Sequence, residues 1–273
     1  MTTSCRHQDT YTTFGRDHDI VVEQTIQKLL LDSKASKNDV ECIGIWGLGG
    51  SRKTLTATHV FNKEKIQAYF IGGCYWLTVG NSKTSVPKLL CEMRQKMVSS
   101  LPTHSKDEDI KNDLFRNLKG WERMLLVLDD VWKIQTLEIL EVMPKGVQCK
   151  IVITTRDEGV LNKKHATKLK MPILSPLKSW KLFCHHACCG DVNMPLDLKE
   201  VDKQITSECG RLLLALKVIG GYLTGSIEPS YWERTLDKLR NASMVSPNHY
   251  EQLYSKLELS VDELQKVHPQ LKY

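Results

Sequence analysis

The sequence predicts an α/β protein, a doubly wound parallel sheet followed by a smaller helical region. Short, continuously apolar runs alternate with helical stretches over the first 158 residues. Beyond that point only helical periodicity remains. The first apolar run stops at a cluster of glycines and leads into a helix, the arrangement in which backbone N–H groups face an anion.

The elements follow in order. Ile20, Val21, Ile26, Leu29 and Leu30 recur at helical spacing between Asp17 and Leu31, and a polar stretch from Ser33 to Asp39 reads as a loop. Cys42-Ile43-Gly44-Ile45-Trp46 is the first strand, and Lys53 to Phe61 the helix after the glycines. Further strands are expected at Cys74 to Val79, Met124 to Leu128 and Lys150 to Thr154, with helices at Val86 to Met97 and Ile110 to Leu118 between them. Apolarity without alternation fits parallel strands covered on both faces. Right-handed crossovers then place the functional crevice at the carboxyl ends of the strands. After residue 158, Ser179 to Ala187, Leu198 to Cys209 and Leu212 to Leu223 read as helices, and no run reads as a strand. Two more helical stretches, Tyr250 to Leu257 and Val261 to Val267, open a third unit. The expected boundaries are a tail at 1–11, a sheet domain at 12–158, a helical domain at 159–240 and an incomplete segment at 241–273.

Composition sets limits on function. Over 273 residues, 41% hydrophobic and 26% charged content is that of a chain with a sizeable core. The net charge of +6 is spread along the chain in pairs such as Lys63/Lys65 and Lys178/Lys181, so no specific nucleic-acid partner is expected. Nine cysteines, an odd number at irregular spacings behind a polar start, point to a reducing, cytoplasmic setting. There the Asn241-Ala242-Ser243 sequon stays unglycosylated. No apolar run approaches the roughly 20 residues of a membrane helix, so no membrane segment is expected.

Three motifs carry chemistry. Gly47-Leu48-Gly49-Gly50-Ser51-Arg52-Lys53-Thr54 matches a phosphate-binding loop at Gly47, Lys53 and Thr54. In such a loop backbone N–H groups wrap phosphates, the lysine reaches the β and γ oxygens, and the hydroxyl helps hold Mg2+. The position before the lysine, normally glycine, is Arg52, where a Cβ resists the backbone angles and close approach that glycine allows. Second, Met124-Leu125-Leu126-Val127-Leu128-Asp129-Asp130 is an apolar strand ending in two carboxylates. Asp129 is placed to share the metal with Thr54, and Asp130 to polarise a water; the alternative is that the pair caps the next helix. Third, Lys150-Ile151-Val152-Ile153-Thr154-Thr155-Arg156 is a strand ending in an arginine that can sense a terminal phosphate. The run Cys184-His185-His186-Ala187-Cys188-Cys189 holds metal-ligand residue types, but it falls on one helix without a second half, and is read as structural.

Taken together, these motifs resemble the NB-ARC module of plant disease-resistance proteins, signal-transducing P-loop ATPases of the AAA+ type. Trp132 after the paired aspartates resembles the class without a Toll-like domain. Tyr75-Trp76-Leu77-Thr78-Val79, Ser179-Trp180-Lys181-Leu182-Phe183 and Cys209-Gly210-Arg211-Leu212-Leu213-Leu214 resemble further motifs of that module, and Phe14-Gly15-Arg16-Asp17 its entry segment near adenine. The resemblance implies a P-loop domain, a helical domain and a winged-helix domain. It also implies a switch held off by ADP and released by ATP with Mg2+, acting with other immune-receptor or signalling proteins. The implied nucleotide contacts are Phe14, Gly15, Gly47, Leu48, Gly49, Gly50, Ser51, Arg52, Lys53, Thr54, Leu55 and Leu213. Thr54 and Asp129 are the implied metal ligands, and Asp130 and Arg156 the catalytic groups.

The chain departs from the pattern in three places. Besides Arg52, the second glycine of the Gly-Leu-Pro-Leu motif is Arg211, and its adenine-packing proline is Leu213, which loses the rigid turn. The winged-helix Met-His-Asp motif is not in the sequence. Weakened nucleotide binding and little hydrolysis are therefore expected, with a nucleotide-blind fragment or decoy acting through protein contacts as the alternative. No acceptor-substrate site for a metabolic kinase is visible.

Overall fold

The computed structural model describes residues 16–31, 40–80, 85–98, 107–119, 121–144, 147–162, 165–188 and 195–245. Phe14, Gly15 and the segment from 246 onward lie outside the described residues. The chain divides into two compact units. One holds His18–Gly47 and Arg52–Met171; the other holds Leu48–Ser51 and the described residues from Pro172 onward.

The first unit is a five-stranded parallel sheet of order β2-β3-β4-β1-β5, with β1 at Glu41–Trp46, β2 at Cys74–Thr78, β3 at Met124–Val131, β4 at Cys149–Thr155 and β5 at Thr167–Lys170. Helices α1 (Arg16–Leu30), α2 (Lys53–Phe61), α3 (Glu64–Tyr69), α4 (Val86–Met97), α5 (Asp107–Leu118) and the short α6 (Gly159–Asn162) join them, with a 3-10 segment at Ile134–Val142. Successive side chains of a strand point to opposite faces. In β3, Leu126 and Leu128 enter one apolar cluster with α4 and α5, while Leu125 and Val127 enter another with α1 and α2. The continuous apolar run is thus a strand buried on both sides.

Ion pairs trim the edges of these layers. Arg94 of α4 is buried and donates to Asp113 of α5 at 2.7 Å. Lys150 of β4 pairs with Glu41 at 3.1 Å and donates to the carbonyls of Lys28 and Leu31, so an ammonium closes the carboxyl end of α1.

One expectation is corrected here. Thr167–Lys170 is a strand, pairing in parallel with β1, so the sheet continues past residue 158. Of its four residues only Leu169 is buried. A four-residue edge strand with a single core residue carries little apolar signal.

The second unit is helical: α7 (Pro176–Ala187), α8 (Lys199–Glu208), α9 (Leu213–Leu223) and α10 (Pro229–Val245), with a 3-10 turn at Leu196–Leu198. Ser175 caps α7 by accepting from the Lys178 N–H, and Pro176 opens the helix where no N–H is needed. The core packs Phe183 edge-on against Trp232, with ring centroids 5.8 Å apart. The Trp180 indole N–H donates to Asp202 at 2.9 Å, joining α7 to α8. Cys184 lies inside this core and Cys188 at its margin, as helix positions facing the bundle. Gly220 marks where α9 crosses α7: a Cβ there would come within 2.9 Å of the His186 Cβ.

Because Leu126 is fully buried in the middle strand, Leu126→Ala should cost about 3 kcal/mol of unfolding free energy. Urea denaturation followed by circular dichroism measures this. A loss below about 1 kcal/mol would show that the two-sided layer does not carry the fold.

Candidate functional site

The sheet order brings three strand ends together. β1 pairs with β4 so that Trp46 faces Thr155, and the Gly47 N–H continues the ladder to the Thr155 carbonyl at 3.3 Å. β3 lies on the other side of β4, and its register slips between Leu128 and Val131. The slip is a bulge at Asp129 and Asp130, with Asp130 left-handed at φ 58°. Short polar residues tolerate that region better than most. In place of a carbonyl, the Asp130 N–H finds the Thr154 hydroxyl at 2.8 Å.

Around that bulge the polar groups converge. Asp129 is buried, and its Oδ1 accepts from Thr154 at 2.6 Å and from Thr54 at 2.9 Å, with Thr54 also 3.2 Å from Oδ2. One carboxylate therefore ties together the end of β3, the end of β4 and the start of α2. Asp130 accepts from the Trp132 indole N–H at 2.9 Å and lies 3.8 Å from the Arg156 Nε, while the Arg156 guanidinium sits 4.4 Å over the Trp132 ring.

The glycine loop completes the site. Lys53 is buried and donates to the Gly47 carbonyl across the loop at 2.9 Å. Burial, aided by the Arg156 charge, lowers its pKa to about 8, against the opposing pull of Asp130 and Asp129. Arg52 stands at φ 68° and ψ 25°, and its carbonyl accepts from the Thr56 N–H and hydroxyl at 2.9 and 3.0 Å. No side chain caps α2 at this end. The Ser51 hydroxyl is buried without a hydrogen-bond partner. An uncapped helix start that carries a buried ammonium is suited to phosphate oxygens.

Leu48–Ser51 belong with the helical unit, where Leu48 packs against the core. Gly50 is needed twice over: its φ is +71°, and a Cβ would meet the Leu214 Cβ at 2.7 Å.

Of the residues singled out from the sequence, Gly47, Arg52, Lys53, Thr54, Leu55, Asp129, Asp130 and Arg156 lie in the sheet unit. Leu213, half-buried, begins α9 in the helical unit. That unit also contains a cavity of about 650 Å³, lined by Leu48, Ile173, Pro176, Trp180, Lys203, Thr206, Ser207, Gly210 and Arg211. Sequence reasoning did not single out Thr154 or the role of Trp132. A threonine at the end of an apolar strand was the available signal for the first.

Comparison with known proteins bears on this geometry. The family model for the NB-ARC domain matches residues 19–193, well over half of the chain. The chain belongs to the NB-ARC domain family. Membership supports nucleotide binding. Similar plant proteins include the probable disease resistance protein At1g59620 of Arabidopsis thaliana, 27% identical over 92% of this chain and 30% of that protein. The disease resistance RPP8-like protein 3 of the same plant is 30% identical over 89% of this chain and 28% of that protein. The chain thus spans about 30% of the length of these relatives. Among solved structures, the Aeropyrum pernix ORC1 protein in complex with DNA superposes with a TM-score of 0.50 at 14% identity, covering 84% of this chain and 67% of that one, a likeness of fold. Among the described residues, no helix is long and apolar enough to cross a membrane.

Two outcomes follow from the loop. Arg52→Gly removes a left-handed side chain and should raise stability by about 1 kcal/mol, seen as a higher melting temperature; a lower one contradicts the strain. Lys53 binds its proton less readily folded than unfolded, so the nucleotide-free protein should gain stability as pH rises from about 8 toward the ordinary lysine value of 10.5. Lys53→Met should abolish that rise, and a rise unchanged in the variant would refute it.

Proposed function

We propose that the chain is the ADP/ATP-binding switch module of a plant immune receptor, with nucleotide affinity weakened by its own substitutions and little hydrolysis. The observation that carries this reading is the convergence of Lys53, Thr54 and Asp129 around an uncapped helix start. Lys53 exchanges the Gly47 carbonyl for phosphate oxygens, and Thr54 and Asp129 supply the hard oxygen ligands that Mg2+ prefers. A bound Mg2+ would neutralise charge on the phosphates. Arg156 senses a terminal phosphate.

Two features support weakening. Arg52 and Arg211 both stand in the left-handed region, at φ 68° and 58°, where the family pattern has glycine. A Cβ at Arg52 also narrows the approach of a phosphate to the loop. Asp130 already accepts from Trp132 and faces Arg156, so its capacity to polarise a water is reduced, which supports slow turnover. Bound nucleotide sets the balance between off and on states through its differential affinity for them. Partners are other immune-receptor or signalling proteins in the cytoplasm. The same two arginines favour the second reading, a nucleotide-blind relative that acts through protein contacts alone.

Titration with fluorescent ADP and ATP in Mg2+ separates the readings. The native chain should bind in the micromolar range, Arg52→Gly about tenfold tighter, and Lys53→Ala at least tenfold weaker. Binding by the glycine variant alone establishes the nucleotide-blind reading. No binding by either sinks the switch.

A further inference from the structure

Trp132 stands outside the set of nucleotide contacts, yet it makes two contacts that converge on one side chain. Its ring face carries the Arg156 guanidinium at 4.4 Å, and its ring N–H donates to the Asp130 carboxylate at 2.9 Å. The other oxygen of that carboxylate lies 3.8 Å from the Arg156 Nε. Arg156 is thus held by an apolar face on one side and a negative group on the other, and the same indole fixes both.

The backbone explains why these groups meet. The bulge at Asp129 and Asp130, with Asp130 left-handed and its N–H held by Thr154, turns the chain so that Asp130 and Trp132 face the end of β4. Arg156 follows that end directly.

We propose that Trp132 is the positioning residue for Arg156, a clasp that presets the guanidinium before any phosphate arrives. The inference rests on the reading of Arg156 as the sensor of the terminal phosphate. An arginine has four side-chain torsions to restrict, and restricting them beforehand lowers the entropy lost when a phosphate is engaged. The clasp therefore adds to the preference for a triphosphate over a diphosphate. Trp132 does so without touching the nucleotide.

The test compares affinities for ADP and for a non-hydrolysable ATP analogue, with Mg2+, across variants whose melting temperatures are also measured. Arg156→Ala should lower the triphosphate-to-diphosphate preference about tenfold, the effect of losing one charged hydrogen bond. Trp132→Leu should lower it in the same direction by about threefold to tenfold, on the scale of a lost cation–π contact. It should add nothing further in the Arg156→Ala background. Trp132→Phe, which keeps a ring face and loses the N–H, should recover part of the preference. If Arg156→Ala lowers the preference while Trp132→Leu leaves it within about twofold, or the two effects add in full, the clasp is overturned and the sensor reading stands. If Arg156→Ala changes nothing, the sensor reading itself is overturned. Should Trp132→Leu not fold, or the native chain bind neither nucleotide, the Arg156 Nε–H resonance in the labelled protein decides, assigned by its loss in Arg156→Ala. A ring-shifted, slowly exchanging signal supports the clasp, and an unshifted, rapidly exchanging one overturns it.

Discussion

The Asp129 carboxylate is the joint on which the site depends. It accepts from Thr54 at the start of α2 and from Thr154 at the end of β4, while itself ending β3. These elements come from three separate stretches of sequence, and β4 stands between β1 and β3 in the sheet. A buried carboxylate without partners would be strongly unfavourable, so its two hydroxyl donors are as much a condition of the fold as of the chemistry. The bulge beside it, the placing of Asp130 and the position of Arg156 all follow from where that carboxylate sits.

The chain also accepts local backbone cost. Arg52, Asp130 and Arg211 all have positive φ, and only the aspartate is of a type that visits this region readily. Arg52 lies in the glycine loop, and Arg211 precedes Leu213 by two residues. Strain of this kind persists when the surroundings over-determine the backbone. At Arg52 the determining contacts are visible: its carbonyl accepts twice from Thr56, holding the first turn of α2. These two bonds hold the loop's exit with arginine in place. What changes is the surface it offers a phosphate.

Much of this was legible in the residues, for reasons specific to each element. The middle strands could be read because Leu125 to Leu128 and Ile151 to Ile153 are apolar at every position, which only a two-sided interior explains. The loop, the paired aspartates and Arg156 could be read because their spacing is chemical. β5 could not, since Thr167-Lys168-Leu169-Lys170 buries only its leucine. α10 carried a readable pattern in Trp232, Leu236 and Leu239, three core positions at helical spacing, but it lies outside the motifs that guided the reading. The convergence of Trp132 on Arg156 was not legible, because it depends on a bulge and on a left-handed Asp130 that no residue spacing announces. Phe14 and Gly15 lie outside the described residues, so the entry segment rests on resemblance alone.

A loop carrying Arg52 should still present Lys53, Thr54 and Asp129 to a nucleoside diphosphate. A crystal structure of the chain grown with ADP and Mg2+ tests it most directly. In it the Lys53 ammonium should leave the Gly47 carbonyl for the β-phosphate, and Thr54 and Asp129 should face one shared metal. Crystals grown at saturating ADP with an empty loop, and with Lys53 still donating to Gly47, would contradict it.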